Sequence, residues 1–272
     1  MLHLLKLEWL KQKEFTIFRV MTILFLIALP SLLLIAKSFT ISPDSMPPFM
    51  PTVDSLFQFP NIWQWLGYIG SWLTFFFMGF LGVLMVTNEY SNKTLRQNII
   101  TGLSRTEYFL SKLYFILAIS LCVTVYYTIW CLLFGFAHTE TVYLNTALKN
   151  ADYIYRFFLM STGYMSLGLL IGLLIKRTGI ALFLYLAYVM ILEKIIRYAV
   201  HLQIFKHQSM KFYPVNSFSD LAPFPYTEMA ADFAKKEGFD FFLSPMQAVI
   251  TASVFVCLFL FLSYQKLQKG DL

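Results

Sequence analysis

The sequence predicts an all-α integral membrane fold with six transmembrane helices, and two observations carry that expectation. The 272 residues are 58% hydrophobic and only 13% charged, whereas a soluble domain carries roughly 25% charged residues. The apolar residues are also gathered into six separate runs, most of them near the length of about 20 residues that matches the hydrocarbon thickness of a bilayer. A soluble domain of this length could bury one large core, but it would not need uninterrupted apolar runs.

In chain order the runs are Ile17–Ala36, Leu66–Val86, Tyr114–Ala137, Phe157–Ile175, Gly179–Ile191 with an amphipathic continuation, and Met246–Tyr264. The second, third and sixth contain no charged residue. Backbone in lipid must satisfy its own hydrogen bonds, so each run is expected to be a helix. Pro30, Gly79 and Gly82 inside them then mark kinks or packing points, and Gly168 and Gly172 form a small-residue packing motif in the fourth run. The fifth run has the weakest outer boundary, because Glu193, Lys194 and Arg197 interrupt it. Before the first run, Leu2–Glu14 is expected to be an interfacial helix on the inner leaflet, with Leu2, Leu5 and Trp9 on one side. Glu8 and Glu14 in this long polar stretch argue against a cleaved signal peptide.

Orientation follows from the basic residues. With the N-terminus inside, segments 1–19, 87–113, 176–178 and 265–272 are cytoplasmic, and their 57 residues hold 12 of the 21 Lys and Arg. The external segments 37–65, 138–156 and 192–245 total 102 residues and hold the other nine. The density is about twofold higher inside, as the positive-inside bias requires. The multi-pass chain is thus expected in the inner (cytoplasmic) membrane, in contact with lipid and with both termini cytoplasmic. The net charge of +6 is accounted for by topology and needs no nucleic acid.

Signs of catalysis are few. Cys122, Cys131 and Cys257 fall inside predicted spans without paired spacing, so free thiols are expected and no zinc site is indicated. His3, His138, His201 and His207 form no ligand spacing with a carboxylate or thiol, so no metal site is expected. The sequence has no Gly-Lys-Ser/Thr phosphate loop, so the chain is not expected to bind ATP. Gly102-Leu103-Ser104 is half of a nucleophile elbow, but Thr106 stands where the second glycine belongs. Asn92-Lys93-Thr94 fits a glycosylation sequon, yet on the predicted cytoplasmic side it is fortuitous. No catalytic residue and no bound cofactor is expected.

The informative stretch is the loop 88–107 between the second and third runs. It reads as a short helix with built ends. Ser91 or Asn92 can cap its start. Leu95 and Ile99 share a face, while Lys93, Arg96 and Gln97 are polar. Gly102 is placed to take the left-handed conformation that closes a helix. Ser104 through Glu107 then reads as a capping box opening the next span. A short helix resting on lipid headgroups would satisfy the same physics.

The pattern of Glu89, Asn92-Lys93-Thr94-Leu95, Gly102-Leu103-Ser104-Arg105 and Lys112 resembles the permease subunits of ABC-2 type transporters. In that family the stretch commonly runs Glu, Gly-Thr-Leu, Pro-Ser-Arg and Gly-Lys. This chain departs in having Asn-Lys before Thr94, Gly102-Leu103 in place of proline, and Ser111 before Lys112. The six-span layout, the N-terminal helix and the long segment before the last span extend the likeness to one transmembrane domain over residues 1–272. The resemblance implies a dimer, with a second permease subunit, homomeric or heteromeric. It also implies a separate ABC ATPase subunit that carries ATP and Mg and docks on this loop as a coupling helix. Glu89, Lys93, Leu95, Arg96, Ile99 and Arg105 are then the expected ATPase contacts, and export is the expected activity. Phe75, Phe76, Phe77 and Phe80 could line an apolar path, although packing or lipid contact accounts for them better.

The outer segment 192–245 is expected to form an external cap, broken by Pro214, Pro223, Pro225 and Gly238, that could also dock an extracytoplasmic subunit. Glu193 and Arg197, four apart, can pair on one helical face. The rival classes are a channel-like or structural membrane protein and, with less support, an intramembrane enzyme, which would need a polar constellation inside the spans.

Overall fold

The structure, a computed structural model, describes residues 2–38, 53–100, 102–205, 207–225 and 242–269. Helix α1 is Leu2–Glu14 and α2 is Thr16–Ser38. Helix α3 is Asn61–Ser91, α4 is Thr94–Ile100 and α5 is Arg105–His138. Then follow α6 at Tyr153–Ile175, α7 at Thr178–Phe205, α8 at Pro214–Ser219 and α9 at Pro245–Lys269. Among the described residues there is no strand. Six helices, α2, α3, α5, α6, α7 and α9, are long and apolar enough to cross a membrane. All six apolar runs of the sequence therefore appear as helices. The fifth run extends well past Ile191, to Phe205, through wide π-helical turns.

The bundle has two inner helices and four outer ones. In α3 and in the stretch ending with α6, 72% and 67% of the most apolar window is buried, against 22–33% in the others. Glycine makes the inner contact possible. A methyl group at Gly168 of α6 would overlap the carbonyl oxygen of Gly79 on α3, and one at Gly82 would overlap that of Met165. Close approach of backbones is how helices gain dispersion contacts when lipid supplies no hydrophobic drive. The Gly168 and Gly172 motif thus packs within this chain, against Gly79 and Val83. The outer helices turn Ile23, Ile27, Leu121, Leu133, Phe183 and Val254 outward, as an apolar solvent requires.

Helix α3 crosses the bundle through a π-helical turn at Thr74–Met78. Tyr185 of α7 donates its hydroxyl to the Phe75 carbonyl there at 2.7 Å, the kind of side-chain partner that tolerates an irregular turn at membrane depth. Of the four phenylalanines in this stretch, Phe77 is buried, Phe76 is exposed, and Phe75 and Phe80 pack against the core.

At the end of the bundle remote from α1, residues 207–225 fold back as a cap. Pro214 opens α8, where its missing N–H is no loss. Phe218 of α8 is fully buried against Tyr164 of α6, with ring centroids 5.3 Å apart. Glu193 reaches from α7 to accept the backbone N–H groups of Val215 and Asn216 at 2.9 and 2.8 Å. Arg197, expected to pair with Glu193 along the helix, donates to the Asn216 side chain. Most of the remaining outer segment expected around Gly238 lies outside the described residues.

Candidate functional site

The loop between α3 and α5 forms as a helix, but its start differs from the capped one expected. Helix α3 continues through Ser91, so Ser91 belongs to the preceding helix. The break falls at Asn92-Lys93, where Lys93 adopts a left-handed φ of 56°, and the chain re-enters a helix at Thr94. The far end closes as a Schellman motif. Leu103 N–H bonds the Asn98 carbonyl, Gly102 N–H bonds that of Ile99, and Gly102 sits at φ 107°. Ser104 and Glu107 then make the full capping box at the start of α5. A seven-residue helix is thus fixed at both ends by its own backbone.

Of the six residues expected to face a partner, the five whose side chains are described do not share one surface. Lys93 is exposed, and the described features of Arg96 exclude its side chain. Leu95 is 2% exposed and points into the core, while Ile99 is half-buried against it. The apolar side chain that α4 does present outward is Ile100, 74% exposed. Arg105 donates to the backbone carbonyls of Leu267 and Gln268 at 3.0 and 2.6 Å. It thereby fastens the end of α9, where last-turn carbonyls lack helical partners.

Glu89 is turned inward as well, and it exposes the part of the site that sequence reasoning missed. Its carboxylate accepts from Lys112 Nζ of α5 at 2.6 Å and from Lys11 Nζ of α1 at 3.3 Å. Lys112 also donates to Glu8 of α1 at 2.5 Å and to the Met85 carbonyl at 3.2 Å. Gln12 Nε2 donates to Glu8 Oε1 at 2.9 Å, and the Tyr108 ring lies 4.9 Å from the Lys112 ammonium. Two carboxylates and two ammonium groups balance, and Glu8, Glu89 and Lys112 are essentially buried. Charges this deep persist only when paired and hydrogen-bonded.

The quartet sets which side of α1 meets the bundle. The buried side carries Glu8 and Gln12, while Trp9 and Leu10 are exposed. One signal was available in the sequence: Glu8, Glu89 and Lys112 all flank apolar runs on one side of the predicted bilayer. Opposite charges at the same depth tend to meet.

A second polar group lies in the cap. Asp220 accepts from the Leu243 N–H and from Asn216 Nδ2, both at 3.0 Å. Burial pushes its carboxyl up to about 6, against the lowering effect of these donors and of Arg197 and Lys211. Nearby, Ser209 Oγ lies 3.0 Å from His201 Nε2, whose Nδ1 lies 3.2 Å from the Tyr213 hydroxyl. The same serine also meets His207 Nδ1 through both its hydroxyl and its N–H. His207 caps the following 3-10 turn, so a local structural role accounts for this serine.

Among the described residues no group of three His, Cys, Asp or Glu is placed to hold a metal ion. Cys122, Cys131 and Cys257 are free. No protein-family model matches the chain, and no curated protein matches it either.

Proposed function

We propose that the chain is the membrane-spanning permease subunit of an ATP-driven ABC transporter of the ABC-2 type, exporting a substrate across the cytoplasmic membrane. In this reading ATP and Mg belong to a separate ATPase subunit, a second permease subunit completes the pathway, and α1, α4 and both termini are cytoplasmic. The observation that carries it is α4, a short helix clamped by Lys93 and the Gly102 turn and seated on the body through Leu95. Beneath it, Glu89 and Lys112 join α3 to α5 and α1. A displacement of α4 would therefore move three elements together, and through Arg105 the end of α9 as well. That mechanical linkage is what a coupling helix needs.

The surface offered to the ATPase is Lys93, Gln97 and Ile100, which are exposed. Glu89, Leu95 and Arg105 act as anchors behind it. The test is affinity purification of the tagged chain from its native membranes, with ATP hydrolysis assayed in the eluate. The expected result is a co-purifying ATPase that is lost when Ile100→Asp and Lys93→Glu are combined. Equal recovery with a chain that folds and inserts normally would reject the coupling assignment.

A further inference from the structure

Beside the cap, at the end of the bundle remote from α4, lies a cavity of about 560 Å³ between α3, α7 and α8. Lys194 and Arg197 of α7 supply two cations to its wall, and Tyr68, Trp72, Tyr198 and Phe224 supply aromatic surface. A narrower slot of about 110 Å³ shares Ser71, Trp72, Lys194 and Ser219 with it. That slot runs inward along Phe75, Val189, Met190 and Val215. A cationic basin thus opens into an apolar slot.

The depth of the basin is unusual. Lys194 and Trp72 sit about three helical turns from the cap-side ends of α7 and α3. A charge at that level of a membrane helix requires water, a partner or a ligand. Trp72 and Tyr198 remain 51% and 44% exposed, so the rim opens sideways, where a bilayer would bring acyl chains. Asp220 also lines the basin, with its Oδ2 turned to the Leu243 N–H and Asn216 and its charge opposed by Arg197, which itself donates to Asn216. The cavity lies within the usual size range of small-molecule sites, about 300–1,000 Å³, which combine apolar walls with a few convergent polar groups.

We propose that this basin binds one amphiphile with an anionic phosphate or carboxylate head. The head lies at Lys194 and Arg197, and the start of its chain enters the slot past Trp72 to Met190. The site needs no ATPase, so it stands or falls independently of the coupling assignment.

The test uses the full chain purified in a neutral detergent and tritiated lysophosphatidic acid as probe, read by scintillation proximity. Saturable binding is expected. Zwitterionic lysophosphatidylcholine should compete about tenfold less well, the worth of one charge-assisted contact. Inorganic phosphate, lacking a chain, should not compete. Lys194→Glu should lose most of the anionic preference, Lys194→Arg should keep it, and Met190→Phe should weaken binding of both lipids. Elution and melting unchanged from wild type establish that each variant is folded. Equal competition by the zwitterionic lipid, or unchanged binding by Lys194→Glu, overturns the anionic site. Full displacement by phosphate alone overturns the amphiphile, because the slot would then contribute nothing.

Discussion

Lys93 holds a left-handed φ of 56° where the resembled family carries glycine. That conformation strains a side-chain-bearing residue by about 1–2 kcal/mol, whereas glycine loses about 0.5–1 kcal/mol in backbone entropy. The exposed Lys93 side chain has little packing to lose. Lys93→Gly is therefore expected to stabilise the chain by about 0.5–1 kcal/mol, visible as a higher melting temperature in detergent. Asp220 gives a pH-dependent counterpart in the cap. Its folded carboxyl, at about 6, lies above its ordinary 3.8. The folded state therefore binds the proton more tightly, and this group's contribution to stability is fully present below 3.8 and is lost as pH rises through 6. The full swing is about 3 kcal/mol. Asp220→Asn should be the more stable protein above pH 6, and it should flatten the wild-type slope between pH 4 and 6 in melting curves.

Helices α1, α3 and α5 are joined by charge. Removing one member of a buried ionic group strands the others, at about 3–5 kcal/mol. Lys112→Met should leave Glu8 and Glu89 facing each other, lower the melting temperature and free α1, which limited proteolysis near Lys13 would detect. Lys112→Met combined with Glu8→Gln and Glu89→Gln should recover much of the loss, because the one charge left from the quartet is that of Lys11, which is partly exposed to solvent. If the single variant melted like wild type, the quartet would not hold these helices. Much of the element layout was legible in the sequence. Hydrophobic runs report burial in lipid directly, and Gly102 and Ser104 signal caps through local chemistry. The quartet was not legible in the same way, because no periodicity links residues 8, 89 and 112. The inward turn of Leu95 was hidden too, since a seven-residue helix is too short to show which face is buried.

At the scale of the whole molecule, orientation is the expectation on which the transport reading depends. The α1 end carries the dense basic segments, including the loop around Lys93 and Arg105 and the pair Lys176 and Arg177. The cap end is poorer in Lys and Arg and holds Glu193 and Asp220 in ordered backbone contacts. Lys and Arg resist translocation, so the α1 end is expected inside. The described geometry supplies positions where a probe can reach the chain. Ser104 and Glu107 are exposed at the α4 side, and Gln208 is exposed at the cap. In a chain whose three native cysteines are replaced by alanine, Cys introduced at Ser104 should resist a membrane-impermeant maleimide in intact cells and react after permeabilisation. Cys at Gln208 should react in both. Cys131 is fully buried, so its replacement needs a control that the cysteine-free chain melts like the parent. The opposite labelling pattern would place α4 outside, where no ATPase could reach it. The permease reading would then fail as a whole, while the basin at Lys194 would face the cytoplasm and remain testable.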